Sequence, residues 1–269
     1  MPTAPTATAV RRAAVGALFA ALLACSGAPG AAARTTSPSA PRYSVPVLTY
    51  HRIVPAAERG RSRPNLCLEP ELFAAQLEAL HRAGWKTITA AALYARMSRG
   101  IYVPPKTFVI TIDDGYVDGL TYALPILQRL GYTATYYVIA GRVGGSSYLS
   151  AAQIRALMHS GMEIGNHTVT HTPAKRLDAA SAAVQVARAQ ELLEQWTGRA
   201  PVTFAYPFGS HPRFLEEAVA AAGLRMAFTT EKGDVRSLEN PFALPRYSMG
   251  SAISPEYLVR LVAASSKAP

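Results

Sequence analysis

The chain has 269 residues, 49% hydrophobic and 16% charged, with 27 Lys and Arg against 17 Asp and Glu. So much apolar material with so little self-repulsion excludes an intrinsically disordered chain, and the length allows one large domain or two small ones. Two cysteines exclude a disulfide framework or a cysteine-rich zinc site, so any metal here must be held by histidine and carboxylate.

The first 33 residues read as an export signal. Arg11 and Arg12 precede an apolar run at 13–24 that is too short to span a bilayer, and small residues follow as far as Ala33. Two endings fit. Leu22-Leu23-Ala24-Cys25 resembles a bacterial lipobox, which would make a lipid on Cys25 the protein's one attachment to a membrane; the rival is cleavage after Ala31-Ala32-Ala33. Either ending predicts a periplasmic, envelope-attached or secreted protein. Residues 1–33 hold two arginines and no acid, so cleavage after Ala33 lowers the formal charge from +10 to +8. The basic residues are scattered, without a run interleaved by aromatics, and with export this argues against a nucleic-acid partner. Residues 34–42 (RTTSPSAPR) form a linker with nothing to bury, and Cys67 falls in a polar loop at 61–68.

From residue 43 the pattern alternates. Runs rich in β-branched and aromatic residues at 45–50, 106–112, 132–139, 162–165, 202–206 and 224–229 predict strands buried on both faces. Between them, 71–82, 90–98, 117–130, 150–160, 179–197 and 212–222 predict helices, several followed by glycine at the position of a left-handed cap. Such alternation implies a parallel sheet, either open and doubly wound or closed into a barrel.

The reactive residues gather at one end of that scheme. His51 follows the first strand, Asp113 and Asp114 the second, His167 and His171 the fourth, and Tyr206-Pro207-Phe208-Gly209 the fifth. In a parallel barrel the C-terminal strand ends converge on one face, where such folds carry their sites. Adjacent carboxylates can divide labour, one binding a cation and the other serving as a base. His167 and His171 are spaced i, i+4, which puts both imidazoles on one side of a helical turn or at neighbouring points of a tight loop. One aspartate with two histidines is the open ligand set of a catalytic zinc. His81, His159 and His211 lack such company and read as surface or helix residues. The Pro-Gly turn at 207–209 can aim a backbone N–H at an oxyanion.

With TIDDGY at 111–116, HTVTH at 167–171 and AYPFG at 205–209, the chain resembles the polysaccharide deacetylases, the NodB-homology or family 4 carbohydrate esterases. VLTYHRI at 47–53 is similar to the branch that deacetylates poly-N-acetylglucosamine. The resemblance covers about 43–250 and implies an α/β fold, a distorted (β/α) barrel with fewer strand-helix units than the eightfold form, about seven. It also implies a divalent metal, with zinc the expected ion. By that resemblance Asp114, His167 and His171 are the metal ligands and Asp113 the general base. The Phe208 N–H then holds the oxyanion, and Tyr116, Tyr206 and Pro207 contact the substrate.

Two parts of the family pattern are missing. The usual arginine of the third motif aligns with Ala205, and no histidine follows His211 to supply the late acid. His51 is the natural substitute for the acid, and Arg246 in LPRYSM (244–249) the candidate to orient the base. The expected activity is removal of N-acetyl groups from an N-acetylglucosamine-containing envelope or exported polysaccharide. An O-acetyl esterase acting on a polymer such as xylan, and a non-catalytic carbohydrate-binding protein on the same fold, are the alternatives.

Overall fold

Unbroken apolar runs become strands that are buried along their whole length, because helices cover both sides of the sheet. A computed structural model describes residues 44–60 and 64–265; the export signal, Cys25 and the linker at 34–42 lie outside them. In chain order the described strands are β1 (Val45–Tyr50), β2 (Arg52–Ile53), β3 (Cys67–Leu68), β4 (Lys86–Thr87), β5 (Thr107–Ile112), β6 (Thr135–Val138), β7 (Glu163–Asn166), β8 (Thr203–Ala205), β9 (Met226–Phe228), β10 (Asp234–Val235) and β11 (Tyr247–Ser248). The helices are α1 (Pro70–Arg82), α2 (Ala90–Met97), α3 (Leu124–Arg129), α4 (Ala151–His159), α5 (Ala179–Thr197), α6 (Arg213–Ala221) and α7 (Pro255–Ser265).

The main sheet runs β10-β1-β5-β6-β7-β8-β9, parallel except for β10, and curls into a half-barrel. Residues 244–248 run from the β9 edge across to β1: Leu244 bridges Phe228 on β9, and Tyr247 then pairs with Leu48 on β1. The distorted barrel expected from the sequence is therefore the observed architecture. Inward-facing Val47, Val109, Tyr137, Ala205 and Phe228 form an inner core, onto which α2 packs Ala90, Leu93 and Met97. Outward residues such as Leu48, Tyr50, Ile110 and Ile112 pack under α1, α3, α4 and α7.

The helix ends obey local chemistry. Thr89 and Asp178 accept hydrogen bonds from backbone N–H groups of α2 and α5, and Ser150 forms a full capping box with Gln153. Three expectations change. The helix predicted at 117–130 opens with a π-turn at Gly119–Ala123, leaving α3 only six residues. Helix α7 lies beyond the span of the predicted alternation. Cys67 is buried in β3, paired with Arg52 on β2, because the polar loop ends in a short strand. His211 stays a partly exposed residue as expected, with its Nδ1 2.7 Å from Glu216 Oε1.

Gly165 in β7 tests the inner packing. A Cβ there would collide with the Tyr137 ring and stand 3.2 Å from the Thr203 carbonyl oxygen. Tyr137 is buried, and its hydroxyl donates to Thr203 Oγ1 at 3.0 Å, so the ring has nowhere to go. Gly165→Ala is expected to cost about 1–3 kcal/mol and to lower Tm by several degrees in thermal unfolding; an unchanged Tm would mean the core yields there.

Candidate active site

Strand alternation sends Val109, Thr111 and Asp113 to the same inner side, and at Asp113 the chain leaves β5. Asp114 (φ 76°) and Gly115 (φ 74°) then take two left-handed steps, and a Cβ on Gly115 would meet the Val138 side chain at 3.2 Å. The reversal turns the adjacent carboxylates apart. Asp113 points to Arg246, and Asp114 to the histidines.

Arg246 is fully buried, and its guanidinium grips Asp113 with two parallel bonds of 2.9 Å. Its Nη1 also donates to Thr111 Oγ1 at 3.1 Å and its Nε to the Thr229 carbonyl at 3.1 Å. The Tyr137 and Phe228 rings lie 5.7 and 5.8 Å from the guanidinium carbon. Burial pushes the Asp113 carboxyl upward, but the positive charges of Arg246, His167 and His51 outweigh it and leave the group below the ordinary range.

The HTVTH segment forms a tight loop and not a helical turn. Asn166 Oδ1 accepts from Thr168 N at 2.9 Å, and Thr168 Oγ1 accepts from His171 N at 3.0 Å. Thr168 and His171 both have positive φ. The His167 Nδ1–H donates to the Ala205 carbonyl at 2.7 Å; a carbonyl can only accept, so in the neutral ring it is Nε2 that carries the lone pair, on the side of Asp114. Asp114 Oδ1 lies 3.4 Å from Nε2 of both His167 and His171.

These three residues fit a divalent cation. Their donor atoms lie within 4.8 Å of one another, and Asp114 Oδ1 is buried without a hydrogen-bond partner. Donors about 2.0–2.2 Å from a tetrahedral zinc stand roughly 3.3–3.6 Å apart, the spacing of both aspartate–histidine pairs. Burial and the charge of His167 lower His171 to about 4, which keeps it a neutral ligand near neutral pH. Burial also opposes charge on His167, but Asp114, Asp113 and the Ala205 carbonyl more than offset it and raise that group.

His51, half-buried after β1, is close enough for its charge to act on Asp113, Asp114 and His171. Phe208 has φ 60°, is 56% exposed, and sets its ring 4.7 Å from that of His171. Tyr116 lines the cleft above Asp114. The side chains of Tyr206 and Pro207, expected at the substrate, are both buried, with Tyr206 packed on Phe204 because its strand-end position faces the α5–α6 side of the sheet. Arg52, Arg142 and Tyr148, none of them singled out as site residues from the sequence, line the same cleft of about 340 Å³. Tyr148 pairs with Tyr116 across an isolated bridge, a contact with no local sequence signature.

Residues 101–227 match the family model described as polysaccharide deacetylase. The chain carries a polysaccharide deacetylase domain of the NodB, carbohydrate esterase family 4 type. It is similar to YxkH of Bacillus subtilis (strain 168), provisionally named a polysaccharide deacetylase, at 27% identity over 213 residues, 78% of this chain and 73% of that one. It is 23% identical over 224 residues to the poly-beta-1,6-N-acetyl-D-glucosamine N-deacetylase of Staphylococcus aureus, 74% of this chain and 76% of that one. The fold matches Streptococcus pyogenes deacetylase PplD with a TM-score of 0.77 at 24% identity, over 82% of this chain and 99% of that one. Family 4 deacetylases depend on a metal, in keeping with the Asp114, His167 and His171 cluster of this deacetylase domain.

Two outcomes follow from the buried charges. Burial raises Asp114, but His167, His51 and His171 outweigh it and lower the group from 3.8 to about 2. A depressed acid stabilises the fold above its unfolded pKa and loses that contribution as pH falls through the folded one. With cation removed, denaturant midpoints of the wild type should therefore fall between about pH 4 and 2 relative to those of Asp114→Asn; parallel curves would refute the shift. Arg246→Met strands the Asp113 carboxylate and should cost about 3–5 kcal/mol in urea unfolding, whereas a loss below about 1 kcal/mol would deny the pair its weight.

Proposed function

We propose that the protein is a metal-dependent N-deacetylase acting on an N-acetylglucosamine-containing envelope or exported polysaccharide. The observation that carries the reading is a buried, arginine-clamped carboxylate, Asp113, in direct sequence with the cation-ligand candidate Asp114. The name of the Staphylococcus aureus relative supports the substrate class, and the apolar amino-terminal segment supports action outside the cytoplasm. Residues 43–269 act as one deacetylase domain. No described helix is long and apolar enough to cross a membrane.

Asp114, His167 and His171 hold the cation, with zinc favoured by the donor set. When bound there, the ion would supply Lewis-acid polarisation of a carbonyl and would make a water more acidic. Asp113 accepts the proton of the attacking water, and Arg246 keeps it ionised with both oxygens in a fixed plane. The Phe208 N–H, aimed by its left-handed backbone, stabilises the developing oxyanion. His51 protonates the departing amine, the role for which a late histidine is missing.

Asp113→Asn should retain zinc and lower acetate release by roughly 10²–10⁴-fold, whereas His167→Ala should lose both. His51→Gln should lower kcat while leaving zinc bound. Acetate release and metal content, measured on N-acetylglucosamine polymers and acetyl xylan with and without chelator, check all three. Full activity in Asp113→Asn would overturn the base assignment, and acetyl xylan as the preferred substrate would turn the reading to an O-esterase.

A further inference from the structure

The cleft beside Asp114 continues into a second hollow of about 390 Å³, and the two share Arg52, Tyr116 and Tyr148. Tyr116 and Tyr148 stack with centroids 4.7 Å apart and planes 21° from parallel. The Arg52 guanidinium lies 4.8 Å from the Tyr116 ring, and that of Arg142 lies 5.7 Å from the Tyr148 ring. A file of arginine, tyrosine, tyrosine and arginine thus walls the groove.

The charges along it do not cancel. Arg52 is tied to Asp118 at 2.6 Å, and Glu58 sits near Arg59 at the outer end, accepting from the Tyr122 hydroxyl. Asp114 belongs to the cation site. Arg142 is exposed and makes no ion pair among the described residues; the Tyr148 ring is its side chain's one described contact. Its backbone is nevertheless fixed. Gly141 N donates to the Val169 carbonyl at 2.8 Å, and a Cβ on Gly141 would stand 2.5 Å from that oxygen, so the loop is pressed against the histidine-bearing segment. On its other side, Leu149 N donates to the Gly115 carbonyl and Val117 N to that of Ser147.

We propose that Arg142 is a specificity-determining residue that binds a carboxylate on the sugar next to the one being deacetylated, so that the preferred substrate is an acidic N-acetylated glycan. The proposal rests on the deacetylase reading above and adds the charge of the substrate to it. A guanidinium offers a planar fork to a carboxylate, and stacking on a tyrosine limits the side-chain freedom lost on binding. The paired tyrosine faces supply an apolar wall beside it for a sugar ring.

The probe is a glycan strand of alternating N-acetylglucosamine and N-acetylmuramic acid, compared with the same strand after amidation of its lactyl carboxyls. Acetate release by the wild-type, metal-loaded protein should give a kcat/KM ratio of roughly tenfold or more in favour of the carboxylate form. The ratio should shrink as salt is raised. Arg142→Gln should bring it close to one, and Arg142→Glu should invert it. A wild-type ratio near or below one, or a ratio untouched in both variants, overturns the role of Arg142 while leaving the deacetylase reading intact. No acetate from either strand or from a neutral N-acetylglucosamine oligomer sinks that reading, and this inference with it.

Discussion

A buried arginine gripping a buried carboxylate across the inner mouth of the sheet is the interaction on which the rest of the site depends. Arg246 comes from the segment that runs from β9 across to β1, and Asp113 directly follows β5. Desolvating two such charges is expensive, and only the paired geometry with further bonds to Thr111 and Thr229 makes it tolerable. The pair therefore fixes one register: a slip of β5 by a single residue would turn Asp113 to the outer face and leave the guanidinium unmatched.

Backbone strain is concentrated around that pair. Of the five described non-glycine residues with positive φ, Asp114, Thr168, His171 and Phe208 lie in the candidate site and only Lys106 lies elsewhere. Each costs conformational energy that surrounding contacts must hold in place, such as the Asn166 and Thr168 bonds within the histidine loop. The yield is convergence, with three donor atoms from two loops facing one point and a third loop capping them with Phe208.

The groove extends this logic outward. The segment at 140–149 is hydrogen-bonded both to the histidine loop and to the loop after Asp114, so the groove wall is tied directly to the segments that carry the metal-ligand candidates. A substrate held along the tyrosine pair is thereby held in register with the reacting centre, which is the geometric condition for turning binding into rate.

Much of this was legible in residue order. Apolar runs and capping residues predicted six of the strands and six of the helices, because burial on both faces and cap chemistry are local properties. The carboxylate pair and the spaced histidines marked the site, because few other arrangements need those groups at successive strand ends. What the chain order could not contain was partnership across the fold. Whether HTVTH coils as a helix or a loop was settled by Asn166 and Thr168 side chains bonding back to the backbone. That Tyr206 turns into the core, that Arg246 lies 133 positions from Asp113 yet clasps it, and that Arg142 stands beside Tyr148 were decided by the curl of the sheet. Periodicity specifies which face a residue takes, but only closure of the tertiary structure specifies which other residue it meets there.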